Sequence, residues 1–153
     1  MTVPQLEFRE ATPQDEAALL PMMRSLAEQE PGKITFDESA ARAALRQFAS
    51  LRAFGRIWLL YEGATLVGYI ILTIGFSFEF RGHDAFIDEL FISAAHRRRG
   101  YGRQAVAFIE GKAREMGVNA IHLEVDHGND PALELYRRAG YEDHDRFLMT
   151  KWL

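Results

Sequence analysis

Apolar residues recur every three or four positions in several stretches of the chain, which is the spacing of a helix with one buried face. Leu19, Met22, Met23 and Leu26 follow this spacing early in the chain, and Val106, Ile109, Ala113 and Met116 follow it later. Residues that favour helix starts and stops bound these stretches. The pattern predicts four helices: one from Thr12 to before Pro31, one opening at Asp37, one over Arg103–Met116, and one from Asp130 to about Gly140.

Alternating or continuous runs of β-branched, aromatic and aliphatic residues lie between these helices and predict strands. The predicted strands are Leu6–Arg9, Ile57–Tyr61, Leu66–Phe78, Ala85–Ile92, Ile121–Val125 and Phe147–Trp152. The second and third are joined by a short polar turn and read as a hairpin. The resulting order, β-α-α-β-β-β-α-β-α-β, predicts an α/β fold with a mixed central sheet flanked by helices. No repeat or linker divides the chain, so we expect one domain over residues 1–153.

Composition excludes several classes of function. The chain has 153 residues with 18 basic and 22 acidic side chains, and its net charge of −4 argues against nucleic acid as a partner. No apolar run approaches a membrane span and the first residues do not resemble a signal peptide, so we expect a cytoplasmic protein with no membrane partner. The absence of cysteine excludes disulfides, thiolate metal sites and a cysteine acyl-enzyme.

A turn that contains two glycines joins the fourth predicted strand to the third predicted helix. Arg97-Arg98-Arg99-Gly100-Tyr101-Gly102 precedes Arg103, the first residue of that helix. Glycines let backbone N–H groups point in one direction, and a helix start adds unpaired donors and partial positive charge. The turn is therefore suited to a phosphate or pyrophosphate. Its spacing differs from both the nucleoside-triphosphate loop and the dinucleotide fingerprint.

A second motif lies downstream, and together the two resemble a known family. Residues 97–102 read R-x-x-G-x-G, and Asn129 to Tyr141 read N-x-x-A-x-x-x-Y-x-x-x-G-Y. Both are similar to motifs of the GNAT N-acetyltransferases, and the resemblance extends over nearly the whole chain. It implies that residues 97–103 hold the pyrophosphate of acetyl-coenzyme A and that Asn129 and Ala132 lie at the cofactor. It also implies that Tyr136 protonates the departing thiolate.

The segment Phe86–Ile92 resembles the fourth strand of the same family. The resemblance implies that main-chain groups of Leu90, Phe91 and Ile92 pair with the pantetheine arm of the cofactor. It also implies that an acid before them, Asp88 or Glu89, serves as the base. Adjacent strand residues point to opposite faces, so only one of the two acids should face the cleft unless a bulge intervenes.

Structural alternatives accompany each of these assignments. Tyr136 is equally a candidate core aromatic, Asn129 a turn residue, and the arginine run a solvated face. His122, Glu124 and Asp126 alternate along one strand and are candidates for a metal site. No fourth ligand is evident there, and a solvated or helix-covered strand face explains the pattern better, so we expect no metal.

These interpretations predict an acetyl-CoA-dependent enzyme that transfers the acetyl group directly to a primary amine. Glu79, Asp84, Asp88 and Glu89 cluster in sequence, which favours a small cationic amine. A looser resemblance to diamine and polyamine acetyltransferases agrees with this acceptor. The alternatives are a protein or amino-acid acetyltransferase and a non-catalytic coenzyme A-binding regulatory module. A homodimer is expected by family analogy alone.

Overall fold

The computed structural model describes residues 2–30 and 35–153. Its helices are α1 (Glu16–Glu28), α2 (Glu38–Ser50), α3 (Tyr101–Glu115) and α4 (Asp130–Arg138). Its strands are β1 (Glu7–Glu10), β2 (Gly55–Glu62), β3 (Thr65–Ser77), β4 (Gly82–Ile92) and β5 (Ala120–His122). Three short 3₁₀ turns lie at Pro13–Asp15, Arg52–Phe54 and Ala94–His96. The predicted order of elements is thus confirmed as far as α4.

One mixed sheet organises these elements, with its strands in the order β1-β2-β3-β4-β5. Neighbours from β1 to β4 are antiparallel, whereas β5 runs parallel to β4 after the crossover through α3. The parallel pairing is short, because only Asp84–Phe86 of β4 meet Ala120–His122 of β5. The α/β fold class with a mixed sheet is confirmed.

Each face of the sheet carries its own apolar core. On one face, Tyr101, Ala105, Ile109 and Ala113 of α3 pack against buried side chains from β2, β3 and β4. On the other, Leu19 of α1 joins a smaller set of buried residues from the same strands. α2 lies over this second face with no fully buried residue. The α3 face is therefore the main apolar core, and the α1–α2 face is packed more loosely.

Side chains at the helix starts explain where the helices begin. The Asp37 carboxylate accepts the Ala40 N–H at 3.1 Å and caps α2. Before α1, the Thr12 N–H donates to Asp15 at 2.7 Å across the Pro13–Asp15 turn, so the α-helix starts at Glu16. The predicted stop at Pro31 lies outside the described residues, and α1 ends at Glu28.

Two predicted strands differ from the structure. β5 ends at His122 instead of Val125, and Phe147–Trp152 forms no strand. Both differences have one physical cause, since a strand forms only against a neighbour that takes its backbone hydrogen bonds. Within the described residues, β5 has no partner on its outer side. No helix in residues 2–30 and 35–153 is long and apolar enough to cross a membrane.

Two glycines provide a matched test of the packing. A Cβ atom on Gly68 of β3 would lie 2.0 Å from the Phe91 carbonyl oxygen, whereas one on Gly111 within α3 would meet nothing within 4 Å. We expect Gly68→Ala to lower the free energy of unfolding by about 3 kcal/mol. Gly111→Ala should raise it by about 1 kcal/mol, because alanine favours helices. Urea unfolding measures both, and a Gly68→Ala variant as stable as the parent would contradict the close strand approach.

Candidate active site

A gap opens in the sheet where β4 and β5 separate. β5 pairs with β4 only as far as Phe86, while β4 continues to Ile92 beside β3. Among the described residues, no strand pairs with the β5-facing edge of residues 87–92. That edge includes Leu90, Phe91 and Ile92, so its main chain can accept an extended ligand as an additional strand.

A bulge at Asp88 lies at the start of this gap. In the register with β3, Leu72 faces Ile87 and Ile71 faces Glu89, which leaves Asp88 as the extra residue of β4. In a regular strand, Asp88 and Glu89 would point to opposite faces. The bulge interrupts this alternation, and both Asp88 and Glu89 are among the residues that line one cavity.

Glu89 is held by a buried tyrosine. The Tyr69 hydroxyl donates to Glu89 Oε2 at 2.6 Å, and the Tyr69 side chain is fully buried against Phe91. Burial raises the pKa of Glu89, and the hydrogen bond from Tyr69 acts in the opposite direction. Burial also raises the pKa of Asp88. Raised carboxyl pKa values bring both groups nearer to the range in which a general base works at neutral pH.

The cavity beside these carboxylates has a volume of about 670 Å³. Its walls come from α1 and α2 on one side, β4 in the centre, and residues 123–126 with α4 on the other. Its lining includes five acids, namely Glu30, Asp88, Glu89, Glu124 and Asp126, and no lysine or arginine among the described residues. The described lining is therefore rich in carboxyl groups, and the cavity extends through the gap towards α4.

Two of the acids expected at an acceptor mouth lie elsewhere. Glu79 forms a two-point ion pair with Arg146, at 2.9 Å for each contact. Asp84 lies 3.1 Å from His122 Nε2, and neither Asp84 nor Glu79 lines the cavity. The expectation that the four acids cluster is correct only for Asp88 and Glu89, because Glu79 lies in the turn before β4 and Asp84 lies near the start of that strand, beside His122.

The glycine turn has the backbone conformation that its sequence predicts. Arg98 and Gly100 both adopt left-handed φ angles, +59° and +78°, directly before the first residue of α3. Gly102 lies in the first helical turn, where an added Cβ would be 3.0 Å from Leu135 of α4. The Tyr101 side chain is buried in the core, so only its main chain can face a ligand at the turn.

The arginines of this turn have different surroundings. Arg97 donates to the Ile92 carbonyl oxygen at 2.9 Å and to Gln29 at 2.6 Å, so it ties the turn to β4 and α1. Arg99 lies 3.3 Å from Glu62. Arg98 and Arg103 form no ion pair with any of the described residues. These two are the cations of the turn that remain available to an anionic ligand.

Helix α4 brings the second motif to the same cavity. Asn129 caps this helix by accepting the Ala132 N–H at 3.4 Å, and Asn129, Ala132 and Tyr136 all line the cavity. The Tyr136 ring packs edge-on against Tyr141. Burial raises the pKa of the Tyr136 hydroxyl. Tyr136 therefore stays protonated at neutral pH and can donate a proton into the cavity. Asn129 is both a helix cap and a cavity residue.

His122, at the end of β5, and the acids Glu124 and Asp126 after it do not meet at one point. His122 pairs with Asp84, whereas Glu124 and Asp126 face the cavity. In residues 2–30 and 35–153, no three histidine, aspartate or glutamate side chains are arranged to hold a metal ion.

Comparison with known proteins identifies the family. Residues 20–141 match the model of the acetyltransferase (GNAT) family, and the chain belongs to that family. The chain is 23% identical to the uncharacterized N-acetyltransferase YhfO of Bacillus subtilis over 94% of each protein. It is 32% identical to the uncharacterized N-acetyltransferase YycN of the same organism, and the matched stretch covers 44% of each chain. The protein is accordingly an N-acetyltransferase.

Solved structures share the fold. The integron cassette protein HFX_CASS3, from the mobile metagenome of Cole Harbour salt marsh, is 31% identical with a TM-score of 0.83, over 95% of this chain and 90% of that one. A predicted acetyltransferase from Clostridium acetobutylicum, solved with acetyl-CoA, has a TM-score of 0.80 at 14% identity over 96% of each chain. At that identity, the second comparison shows the fold alone.

Sequence reasoning missed four residues of the site. Glu30, Glu124 and Asp126 line the cavity, and Tyr69 holds Glu89. The alternation of Glu124 and Asp126 after an apolar strand was a usable signal, because it places two acids on one face. The sequence gives no such indication for Tyr69, since a tyrosine in an apolar strand is typical of the hydrophobic core.

Proposed function

We propose that this protein transfers the acetyl group of acetyl-CoA directly to a primary amine on a small cation. One observation carries the proposal. A single acidic cavity joins the Asp88–Glu89 pair on β4 to Tyr136 on α4 through the gap in the sheet. A base and an acid on opposite sides of one cavity are the two groups that such a transfer requires.

The cofactor would occupy the gap and the glycine turn. Its pantetheine arm would lie along the open main chain of Leu90–Ile92, and its pyrophosphate would meet the N–H groups at the start of α3. Arg98 and Arg103 would add positive charge there. The C. acetobutylicum protein of the same fold, solved with acetyl-CoA, supports this choice of cofactor.

The reaction then needs no covalent enzyme intermediate. The neutral amine nitrogen attacks the thioester carbon, the carbon–sulfur bond breaks, and the products are an amide and free coenzyme A. The base, Asp88 or Glu89, takes the proton that the nitrogen loses, directly or through water. Tyr136 gives a proton to the departing thiolate. Holding both substrates together in the cavity supplies much of the rate acceleration.

The charge of the cavity selects the acceptor. Asp88, Glu89 and Glu124 line it and no described lysine or arginine does, which attracts a cation and disfavours an anion. A primary amine with a second positive group, such as a diamine, a polyamine or a basic amino acid, fits this environment. A protein acceptor and a non-catalytic coenzyme A-binding module are the alternatives, and the cytoplasmic location stays a prediction.

The glycine turn gives a test of the cofactor site with a matched control. Gly100 and Gly117 flank α3, and both have left-handed φ angles, +78° and +74°. Gly100→Ala should weaken acetyl-CoA binding about tenfold or more in calorimetric titrations, because a left-handed alanine is strained and disturbs the turn that meets the pyrophosphate. Gly117→Ala carries the same backbone strain away from the turn and should bind like the parent. Equal affinity in the two variants would remove the turn from the cofactor site.

A second pair of variants tests the acid. Tyr136→Phe removes one hydroxyl and should lower kcat by about 10²- to 10⁴-fold while leaving acetyl-CoA affinity unchanged. Tyr141 packs against Tyr136 and also has a buried hydroxyl, so Tyr141→Phe is the control and should keep its kcat. Full turnover in Tyr136→Phe would make this tyrosine structural. Acetyl-CoA binding without turnover in the parent protein, for any amine, would favour the regulatory alternative.

An amine panel tests the acceptor. We expect kcat/KM for a diamine to exceed that of a monoamine of equal length, which carries one positive charge fewer, and to fall as salt is added, because salt screens the attraction. Glu89→Gln and Asp88→Asn should each lower kcat/KM about tenfold more for the diamine than for the monoamine. Glu79→Gln is the control, since this acid lies outside the cavity. Better turnover of neutral or anionic amines would refute the cationic acceptor and leave the acetyltransferase assignment intact.

A further inference from the structure

Arg97 connects three parts of the molecule that the proposed reaction uses. Its Nε donates to the Ile92 carbonyl oxygen at 2.9 Å, and its Nη2 donates to the Gln29 side-chain oxygen at 2.6 Å. Arg97 begins the glycine turn, Ile92 ends β4, and Gln29 follows the last residue of α1. One guanidinium therefore joins the glycine turn to the open strand edge and to the end of α1.

The Ile92 carbonyl that Arg97 contacts lies on the gap side of β4. The Ser93 N–H donates to the Val67 carbonyl oxygen of β3 at 2.8 Å. In a trans peptide group the C=O and the N–H point in opposite directions, so the Ile92 carbonyl points away from β3. The Arg97 guanidinium is therefore bound at the edge along which the pantetheine arm would lie.

The end of α1 forms one wall of the cavity beside Asp88 and Glu89. We call its cavity-lining residues the α1 wall: Met23, Leu26, Ala27 and Glu30. The Gln29 N–H donates to the Leu26 carbonyl oxygen at 3.1 Å, and the Glu30 N–H donates to that of Ala27 at 3.3 Å. Gln29 is therefore bonded through its main chain to the α1 wall and through its side chain to the glycine turn.

The α1 wall also lies close to the two carboxyl groups of β4. Burial is the largest cause that raises the pKa of Glu89, and the charges of Asp88 and Glu30 raise it further. The charge of Glu30 therefore reaches the Asp88–Glu89 pair. A small displacement of the end of α1 would change both the shape of the cavity and the field at its carboxyl groups.

We propose that Gln29 is a positioning residue that transmits cofactor binding from the glycine turn to the α1 wall through Arg97. The inference rests on the function proposed above. A bound cofactor would contact the main chain on both sides of Arg97, at residues 90–92 before it and at the start of α3 after it. These contacts restrict Arg97, and Arg97 restricts Gln29. The acceptor then meets a wall that is already ordered and binds more tightly.

The geometry of the contact suits this role. A guanidinium is planar and directs its five N–H donors in fixed directions, so two hydrogen bonds fix its orientation. Both partners of Arg97 are uncharged oxygens, so the contact depends on direction more than on charge. Arg99 differs, because it pairs with Glu62 of β2, which does not line the cavity. The path from the turn to the α1 wall therefore runs through Arg97.

Calorimetric titration of putrescine, a short diamine, with and without saturating coenzyme A measures the coupling. Coenzyme A carries no acetyl group, so the ternary complex does not react. In the parent, coenzyme A should tighten putrescine binding about fivefold, and in Gln29→Ala by less than about twofold. The affinity for coenzyme A alone should stay within about twofold of the parent, because the Gln29 side chain bonds Arg97 and not the main chain of the turn.

Turnover separates positioning from a general loss of structure. Gln29→Ala should raise KM for putrescine about fivefold and keep kcat, since it weakens binding and not the chemical step. Gln14→Ala is the matched control, because Gln14 is an exposed glutamine in the 3₁₀ turn before α1. Gln29→Glu keeps an accepting oxygen and should retain the coupling. In an Arg97→Ala background, Gln29→Ala should cause no further loss of coupling.

Amide hydrogen exchange tests the same contact without an acceptor. Saturating coenzyme A should slow exchange at the N–H groups of residues 29 and 30 about fivefold in the parent and by less than about twofold in Gln29→Ala. Equal protection in the two proteins, or coenzyme A that leaves putrescine affinity in the parent unchanged, would overturn the coupling while the proposed function stands. A parent that does not bind coenzyme A would instead refute the proposed function, and the coupling with it.

Discussion

The short parallel pairing between β4 and β5 is the constraint on which the rest of the site depends. Three residues of β4, Asp84–Phe86, pair with β5. Beyond them, β4 continues to Ile92 beside β3 but without β5. A longer pairing would bury the main chain of residues 87–92 and close the gap. The bulge at Asp88 lies where the two strands separate, so the irregularity in β4, the opening of the sheet and the two acids of the cavity lining occur at the same point.

Opposite charges lie on the two approaches to this gap. The acidic cavity lies on the side of α1 and α2, while the glycine turn and the start of α3 offer N–H groups with Arg98 and Arg103 nearby. An anionic cofactor and a cationic acceptor would each be attracted to one side and disfavoured on the other. In the proposed reaction the two ligands would then meet at the gap, beside the Asp88–Glu89 pair and Tyr136.

Local signals in the sequence were enough to predict the four helices, the presence of the first five strands and the glycine turn. The φ angles of Gly100 and the cap at Asp37 follow from residue type and spacing alone. The bulge at Asp88, the early end of β5 and the exposed segment after Arg146 did not follow, because each depends on which strand lies alongside. The same reason explains the missed hydrogen bond from Tyr69, since its partner Glu89 is 20 residues away along the chain.

The two faces of the sheet bury different amounts of apolar side chain. Among the described residues, the α3 face holds twelve buried residues in one cluster, whereas the opposite face holds six and leaves α2 without any. Substitutions on the cavity side of α2, at Ala41 or Leu45 for example, should change the cavity wall while the α3 core stays intact. Because most of the buried apolar area lies elsewhere, such changes cost little stability. The loose packing of α2 therefore lets this wall of the cavity vary while the α3 core stays fixed.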